Sequence, residues 1–324
     1  MTARARVAVM GATAAEPPPG IGLIEDLVDL AFADTTPELA EILDGTDVLL
    51  AWRSKRELLE GAWDRAGDLR WIQSASAGVD GLLFPELVES HVLLTNARGV
   101  FEDAIAEYVI GLLSVFAKGL VGVVESQRRR EWVHRDTEQL DGKRVLVVGA
   151  GPIGRAIGER CLTLDMQVRA VARTARAGDE VFSSVAGAGE LGREVAWAEY
   201  VVDALPATPE TRHVFDEAVF DAMNPRARFV NVGRGSTVDE AALIRALERG
   251  SIAGAALDVF EEEPLPATSP LWGMPNVIVS PHVSGNTAGW REAVIELFVE
   301  NLRRYLLGRP LRNVVDKARG YVPT

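Results

Sequence analysis

An arginine sits between two glycines in the segment Asn231-Val232-Gly233-Arg234-Gly235-Ser236, directly after an apolar run. A guanidinium there is poorly placed to pack and well placed to project into a cleft, because open α/β sheets bind ligands beyond the carboxyl ends of their strands. Two later segments have the same character. Leu257–Pro264 carries Asp258 and the consecutive glutamates Glu261, Glu262 and Glu263, and Ser280-Pro281-His282-Val283-Ser284-Gly285 again closes an apolar run. Of the chain's four histidines, His282 is the one at a predicted strand end. Imidazole titrates near neutral pH, so His282 is the candidate for moving a proton.

A different chemistry is written at Gly149-Ala150-Gly151-Pro152-Ile153-Gly154, which fits G-x-G-x-x-G. The pattern gains meaning because a predicted strand precedes it and a helix follows. Gly149 permits a tight turn, Gly151 lets a pyrophosphate approach the backbone, and Gly154 allows a helix to pack closely on the strand. Pro152 suits a first helical turn, where its missing N–H is not needed, and the Ile153 turn then offers free N–H groups to an anion. At the end of the next strand, Val171-Ala172-Arg173-Thr174-Ala175-Arg176 lacks the acid that would hold ribose hydroxyls. Arg173, Thr174 and Arg176 could hold a 2′-phosphate instead, so the reading favours NADP, with NAD retained as the alternative. Asp179 and Glu180 come too late to serve.

Strands and helices must position these residues. Val7–Met10, Asp47–Ala51, Trp71–Ser74 and Val92–Thr95 read as strands, with helical spacing over Ile21–Leu30 and Pro37–Leu43. A second alternating run gives six strands: Arg144–Val148, Gln167–Ala172, Tyr200–Ala204, Arg228–Val232, Gly254–Asp258 and Val277–Ser280. This rhythm predicts α/β architecture with a doubly wound parallel sheet. A long helix is expected from about Asp103 to Val124, a polar connection over Gln127–Leu140, and a last helix over Ala288–Leu307 that returns to the first domain. The expected domains are 98–287 for the dinucleotide, and 1–97 with 288–324 as a smaller, discontinuous, flavodoxin-like substrate domain joined to it by a hinge.

The 324 residues carry a formal net charge of −13, which repels polyphosphate backbones and argues against a nucleic-acid partner. Ala104–Val124 is apolar enough to suggest a membrane, but Glu107 and Lys118 would be costly at a bilayer centre, so a buried helix at a domain or subunit interface is expected. The N-terminus reads as a strand and turn rather than a signal peptide. The single cysteine, Cys161, excludes an intrachain disulfide and reads as core. A cytoplasmic protein without membrane partner is the expectation, and no metal site is read.

The order G-A-G-P-I-G, then L-P-A-T-P-E-T-R at Leu205–Arg212, then N-V-G-R-G-S, L-D-V-F-E-E-E-P-L-P and S-P-H resembles the D-isomer-specific 2-hydroxyacid dehydrogenases. The resemblance extends over nearly the whole chain, including Ser74–Asp80 and Thr95-Asn96. It implies a catalytic Arg234, Glu263 and His282, with Arg234 also binding substrate. It further implies a loop, Ala77-Gly78-Val79, whose backbone N–H groups take the substrate carboxylate. Asp258 falls near the nicotinamide, and Pro206, Thr208, Val232 and Gly285 are weaker candidates for cofactor contact. Trp52 and Arg53 end a strand and could shape the pocket. The implied activity is hydride transfer between a nicotinamide and a small D-2-hydroxy or 2-oxo acid, as in a glyoxylate/hydroxypyruvate-type reductase. A homodimer is implied too. The alternative is a non-catalytic dinucleotide-sensing regulator on the same fold. Two features stay unassigned: Asp203, where the family usually has an apolar residue, and Pro17-Pro18-Pro19.

Overall fold

The computed structural model describes residues 4–323, and the chain divides into two compact units. One runs to Phe101 and resumes at Ala288; the other is Glu102–Thr287. The first begins with β1 (Arg6–Met10), β2 (Asp29–Ala33), α1 (Thr36–Leu43), β3 (Val48–Ala51), α2 (Arg56–Gly61), β4 (Trp71–Ser74), α3 (Pro85–Glu89) and β5 (Leu93–Thr95). The strands pair in parallel in the order β2-β1-β3-β4-β5, which is the flavodoxin-like order. β3 is buried along its whole length, as a strand covered on both faces should be. α1 starts at a capping box in which Thr35 and Glu38 satisfy each other's backbone N–H groups. The order reverses between β1 and β3, so a ligand crevice of this sheet would lie at their carboxyl ends. Gly11 leaves β1 with φ +83°, and a Cβ there would lie 2.6 Å from Cβ of Arg53, just beyond β3.

The second unit opens with α4 (Glu102–Lys118) and α5 (Leu120–Arg129). There follow β6 (Arg144–Val148), α6 (Pro152–Leu162), β7 (Gln167–Ala172), β8 (Val185–Gly187), α7 (Leu191–Trp197) and β9 (Tyr200–Asp203). α8 (Glu217–Ala222), β10 (Arg228–Asn231), α9 (Glu240–Arg249), β11 (Gly254–Leu257) and β12 (Val277–Val279) complete it. Its parallel seven-stranded sheet has the order β12-β11-β10-β9-β6-β7-β8. The direction of winding reverses between β6 and β9, which marks the doubly wound dinucleotide fold and places its crevice beyond those two strand ends. Phe215, Phe220 and Phe229 form the aromatic centre of its core, with ring centroids 4.8 to 6.3 Å apart. The chain then supplies α10 (Trp290–Leu306) to the first unit, where Ile295, Phe298, Val299 and Leu302 are buried with Val7, Val9, Leu50 and Trp71. The expected α/β class, with a doubly wound cofactor sheet and a flavodoxin-like partner sheet, is what the chain forms.

Three elements differ from expectation. Ile21–Leu30 is not a helix: a single 3₁₀ turn, Ile21–Ile24, precedes β2. Leu23 and Leu27 are exposed there, and the apolar residues after Asp29 pair with β1 instead. The long helix breaks at Gly119, which has φ +59°, and α4 and α5 are bent by 61°. Among the described residues no single helix is long and apolar enough to cross a membrane. β8, only three residues long, joins the sheet edge through β7 and was missed.

Candidate active site

The turn after β10 is folded by Asn231. Its Oδ1 accepts the Gly233 N–H at 2.9 Å and its Nδ2 donates to the Arg234 carbonyl at 3.1 Å. A Cβ on Gly233 would come within 2.7 Å of the Leu205 carbonyl oxygen, and one on Gly235 within 1.8 Å of the Phe260 carbonyl carbon. Only glycines fit beside Arg234, whose partly buried side chain donates from Nη1 to the Gly233 carbonyl at 2.8 Å.

His282 follows β12 and is held from two directions. Its Nδ1 is 2.8 Å from Glu263 Oε2, while Glu263 Oε1 accepts the Phe260 N–H at 3.0 Å. Its backbone has φ +53°, a left-handed conformation costly for a residue with a Cβ. Asp258, at the end of β11 and fully buried, imposes it. The Asp258 carbonyl accepts the His282 N–H at 2.9 Å, and its carboxylate accepts the Val283 and Ser284 N–H groups at 2.9 Å each and the Ser280 hydroxyl at 2.7 Å. The hydrogen bond from Glu263 raises the histidine pKa above its usual value, against burial and the charge of Arg234. Burial alone would raise the Glu263 pKa, but the bonds from His282 and the Phe260 N–H outweigh it and leave the carboxyl more acidic. The positive charge of Arg234 acts on both partners, so the sequence-predicted trio forms one electrostatic group.

The glycine loop lies between β6 and α6, at the switch point. Gly149 has φ +110°, and a Cβ there would meet the Ala204 carbonyl oxygen at 2.7 Å. A Cβ on Gly154 would lie 1.8 Å from the Gly149 carbonyl oxygen, so α6 packs on its strand as only glycine allows. Around Gly151 there is nothing within 4 Å. α6 starts at Pro152 with no side-chain cap and no acid in its first turn. A tight turn, open space and uncapped N–H groups together fit a dinucleotide pyrophosphate.

Beyond β7, Arg176 Nη1 donates to Asp179 Oδ2 at 2.9 Å, and Asp179 also accepts Arg155 and the Val181 and Phe182 N–H groups. Those bonds, the Phe182 N–H first, hold the Asp179 carboxyl far below the usual range. Asp179 therefore organises this loop, and Arg176 is engaged by it. The charge of Arg173 acts on Glu210, in the loop beyond β9. There Thr211 braces Pro206 and Thr208: its hydroxyl donates to the Pro206 carbonyl at 2.7 Å and accepts the Thr208 N–H at 2.9 Å. In the first unit, Ala77 and Gly78 are partly exposed and Val79 is buried, in a loop that begins just beyond β4. Asn96 fixes this loop by donating to the Ala77 carbonyl at 2.6 Å. Trp52, just after β3, stacks on Trp290 with centroids 6.0 Å apart and planes 12° apart.

A family model described as the D-isomer specific 2-hydroxyacid dehydrogenase, NAD binding domain, matches residues 110–284. The chain belongs to this family. It is 31% identical to a glyoxylate reductase of Thermofilum pendens, over 93% of this chain and 92% of that one. A D-isomer specific 2-hydroxyacid dehydrogenase family protein from Aeromonas salmonicida superposes with a TM-score of 0.83 at 33% identity, covering 97% and 99% of the two chains. An NADPH-dependent glyoxylate/hydroxypyruvate reductase from Sinorhizobium meliloti, solved with NADP and sulfate, gives a TM-score of 0.82 at 26% identity over 98% and 100%. The dehydrogenase is thus an NAD(P)-dependent oxidoreductase.

Sequence reasoning named the three reactive side chains of this dehydrogenase and overlooked much of what holds them. Asn231 lay inside a quoted motif and received no role. Asp258 was taken as a cofactor neighbour, whereas its carboxylate is occupied by the His282 turn. A second histidine–carboxylate pair, His213 with Glu261, ties the loop after Thr211 to the segment that carries Glu263. The signal for it was in the sequence: three adjacent glutamates serve three different ends.

Proposed function

We propose that this dehydrogenase is an NADPH-preferring reductase of small 2-oxo acids of glyoxylate or hydroxypyruvate size, forming the D-2-hydroxy acids. The observation that carries the reading is the 2.8 Å contact of His282 with Glu263, with the charge of Arg234 acting on both.

When bound, the nicotinamide cofactor supplies the hydride. The other steps belong to the chain. Arg234 offers forked donors to the substrate carboxylate and polarises the ketone oxygen. His282, protonated and turned by Glu263, gives its proton to that oxygen as negative charge develops there; in oxidation it takes the proton back. Ala77, Gly78 and Val79 are assigned to the carboxylate through their backbone N–H groups. Gly149, Gly151, Pro152, Ile153 and Gly154 are assigned to the pyrophosphate, and Pro206, Thr208, Val232, Asp258 and Gly285 to the neighbourhood of the cofactor. The missing acid at the end of β7, with Arg173, Thr174 and Arg176 in its place, favours a 2′-phosphate. Arg173 is given the larger share because Arg176 is already paired with Asp179. The unit Glu102–Thr287 is assigned to the cofactor and the other to substrate. A homodimer is favoured by the apolar face of α5, where Leu120, Val121, Val123 and Val124 are 40 to 45% exposed, and by the fully exposed Trp132. The strong net negative charge and the absence of a sequence leader favour a cytoplasmic protein without nucleic-acid or membrane partners.

Oxidation of NADPH and of NADH is followed with glyoxylate, hydroxypyruvate and bulkier 2-oxo acids. Turnover of the small acids with NADPH is expected, and no turnover with any short 2-oxo acid sinks the reading. Arg173→Ala is expected to raise the KM for NADPH by about tenfold or more and to leave that for NADH nearly unchanged. Equal effects on the two cofactors would remove the 2′-phosphate assignment.

A further inference from the structure

Asp203 ends β9 at the switch point of the cofactor sheet. Its neighbours in register are Val148 at the end of β6 and Asn231 at the end of β10, so it stands between the glycine loop and the Arg234 turn. It is wholly buried. Its Oδ1 accepts the Leu205 N–H at 2.9 Å, and its Oδ2 is hydrogen-bonded to the Thr237 hydroxyl. That same hydroxyl is 2.6 Å from the carbonyl oxygen of Arg234.

The protons can be counted. Thr237 Oγ1 has one hydrogen to donate, and two oxygens claim it. The Arg234 carbonyl can only accept. If the Thr237 hydrogen goes to that carbonyl, the hydrogen between Thr237 and Asp203 must come from Asp203. A neutral Asp203 therefore completes the chain Asp203 Oδ2–H to Thr237 Oγ1–H to Arg234 O. An ionised Asp203 takes the Thr237 hydrogen for itself and leaves the carbonyl to Asn231 Nδ2 and the Thr237 N–H, at 3.1 and 3.3 Å.

We infer that Asp203 is a positioning residue that works in its protonated form, fixing the backbone of Arg234 through Thr237. The inference rests on Arg234 as the substrate-binding arginine. The groups that face Asp203 agree with it. β6 and β10 present Val148 and Asn231, which do not titrate, and the turn after β9 presents a backbone N–H. The turn after β10 presents Thr237 and the positive charge of Arg234. Burial, the largest influence, raises the carboxyl to about 7 despite the bonds from Thr237 and Leu205 and the attraction of Arg234. Ionisation has a second effect in the same direction, because a buried negative charge then competes with the substrate carboxylate for Arg234.

The test compares wild type, Asp203→Asn, Thr237→Val and Arg234→Gln, with KM for the 2-oxo acid and kcat measured from about pH 6 to about pH 9. Wild-type KM is expected to rise about tenfold across this range, whereas Asp203→Asn, whose amide donates at every pH, stays flat. Thr237→Val should have a raised KM already at the acid end. The alkaline limb of kcat, set by His282, should persist in Asp203→Asn. Superimposed KM profiles of wild type and Asp203→Asn, with KM raised in Arg234→Gln, overturn the inference alone. An unchanged KM in Arg234→Gln overturns the substrate role of Arg234 and the inference with it. Thermal unfolding gives a reading independent of activity. Asp203 ionises near 3.8 when unfolded and at about 7 in the fold, so the folded state holds the proton between these values. Wild-type stability relative to Asp203→Asn should fall as pH rises through that window and level off above it. A difference that does not change with pH overturns the inference.

Discussion

Glu263 does two things for His282: it turns the ring, and it holds the proton on it. Because the histidine pKa is raised, the protonated form needed for reduction persists above the usual range and is lost as pH rises past the raised value. Reduction should therefore fall on the alkaline side, and oxidation should rise there. Glu263→Gln keeps an acceptor and removes the charge. Its kcat for reduction is expected to drop by about tenfold at neutral pH, and the alkaline limb should move to lower pH. A pH–rate profile that does not move would mean that Glu263 has no electrostatic role. At this scale the reactive residues were legible because their chemistry is local: an arginine flanked by glycines and a histidine at a strand end advertise themselves. Asp203 was visible only as an oddity. Its meaning depends on Thr237, which lies far along the chain and comes near only through the parallel register of β9 and β10.

The glycine loop shows what an element demands of its residues. Gly151 and Gly154 share one motif but face different surroundings, open space and a backbone carbonyl respectively. Gly154→Ala should lower stability by about 1–3 kcal/mol or prevent folding, because neither the strand nor the helix can move aside cheaply. Gly151→Ala should fold normally and weaken NADPH binding by about tenfold or more. Thermal unfolding and a fluorescence titration with NADPH separate the two. Equal loss of stability in both would contradict the different roles assigned to them. Most strands were legible because buried parallel strands are continuous apolar runs, as in Val145–Val148. What escaped was decided elsewhere in the fold. The 3₁₀ turn at Ile21–Ile24 gives way to β2 because β1 offers a paired edge, and β8 is too short to carry a pattern of its own.

For the molecule as a whole, the bend at Gly119 turns an expected buried helix into a surface element with an apolar face. Its hydrophobic residues were read correctly as a place of contact, but the sequence did not show that the helix breaks there. Sedimentation equilibrium at micromolar concentration should give twice the chain mass, and Val124→Asp should return the monomer. A wild-type monomer would remove the dimer proposal and leave the exposed face of α5 without explanation.

Cys161 has a practical consequence. It lies in α6 with no exposed surface, and burial pushes its thiol up to about 12. The thiolate that alkylating reagents require is scarcely formed in the folded protein. Any cysteine installed on the surface would then be the only reactive one, so a dye or spin label could be attached at a chosen position without first removing the native thiol. Release of Cys161 to such a reagent would report, in turn, the opening of the helix behind the glycine loop.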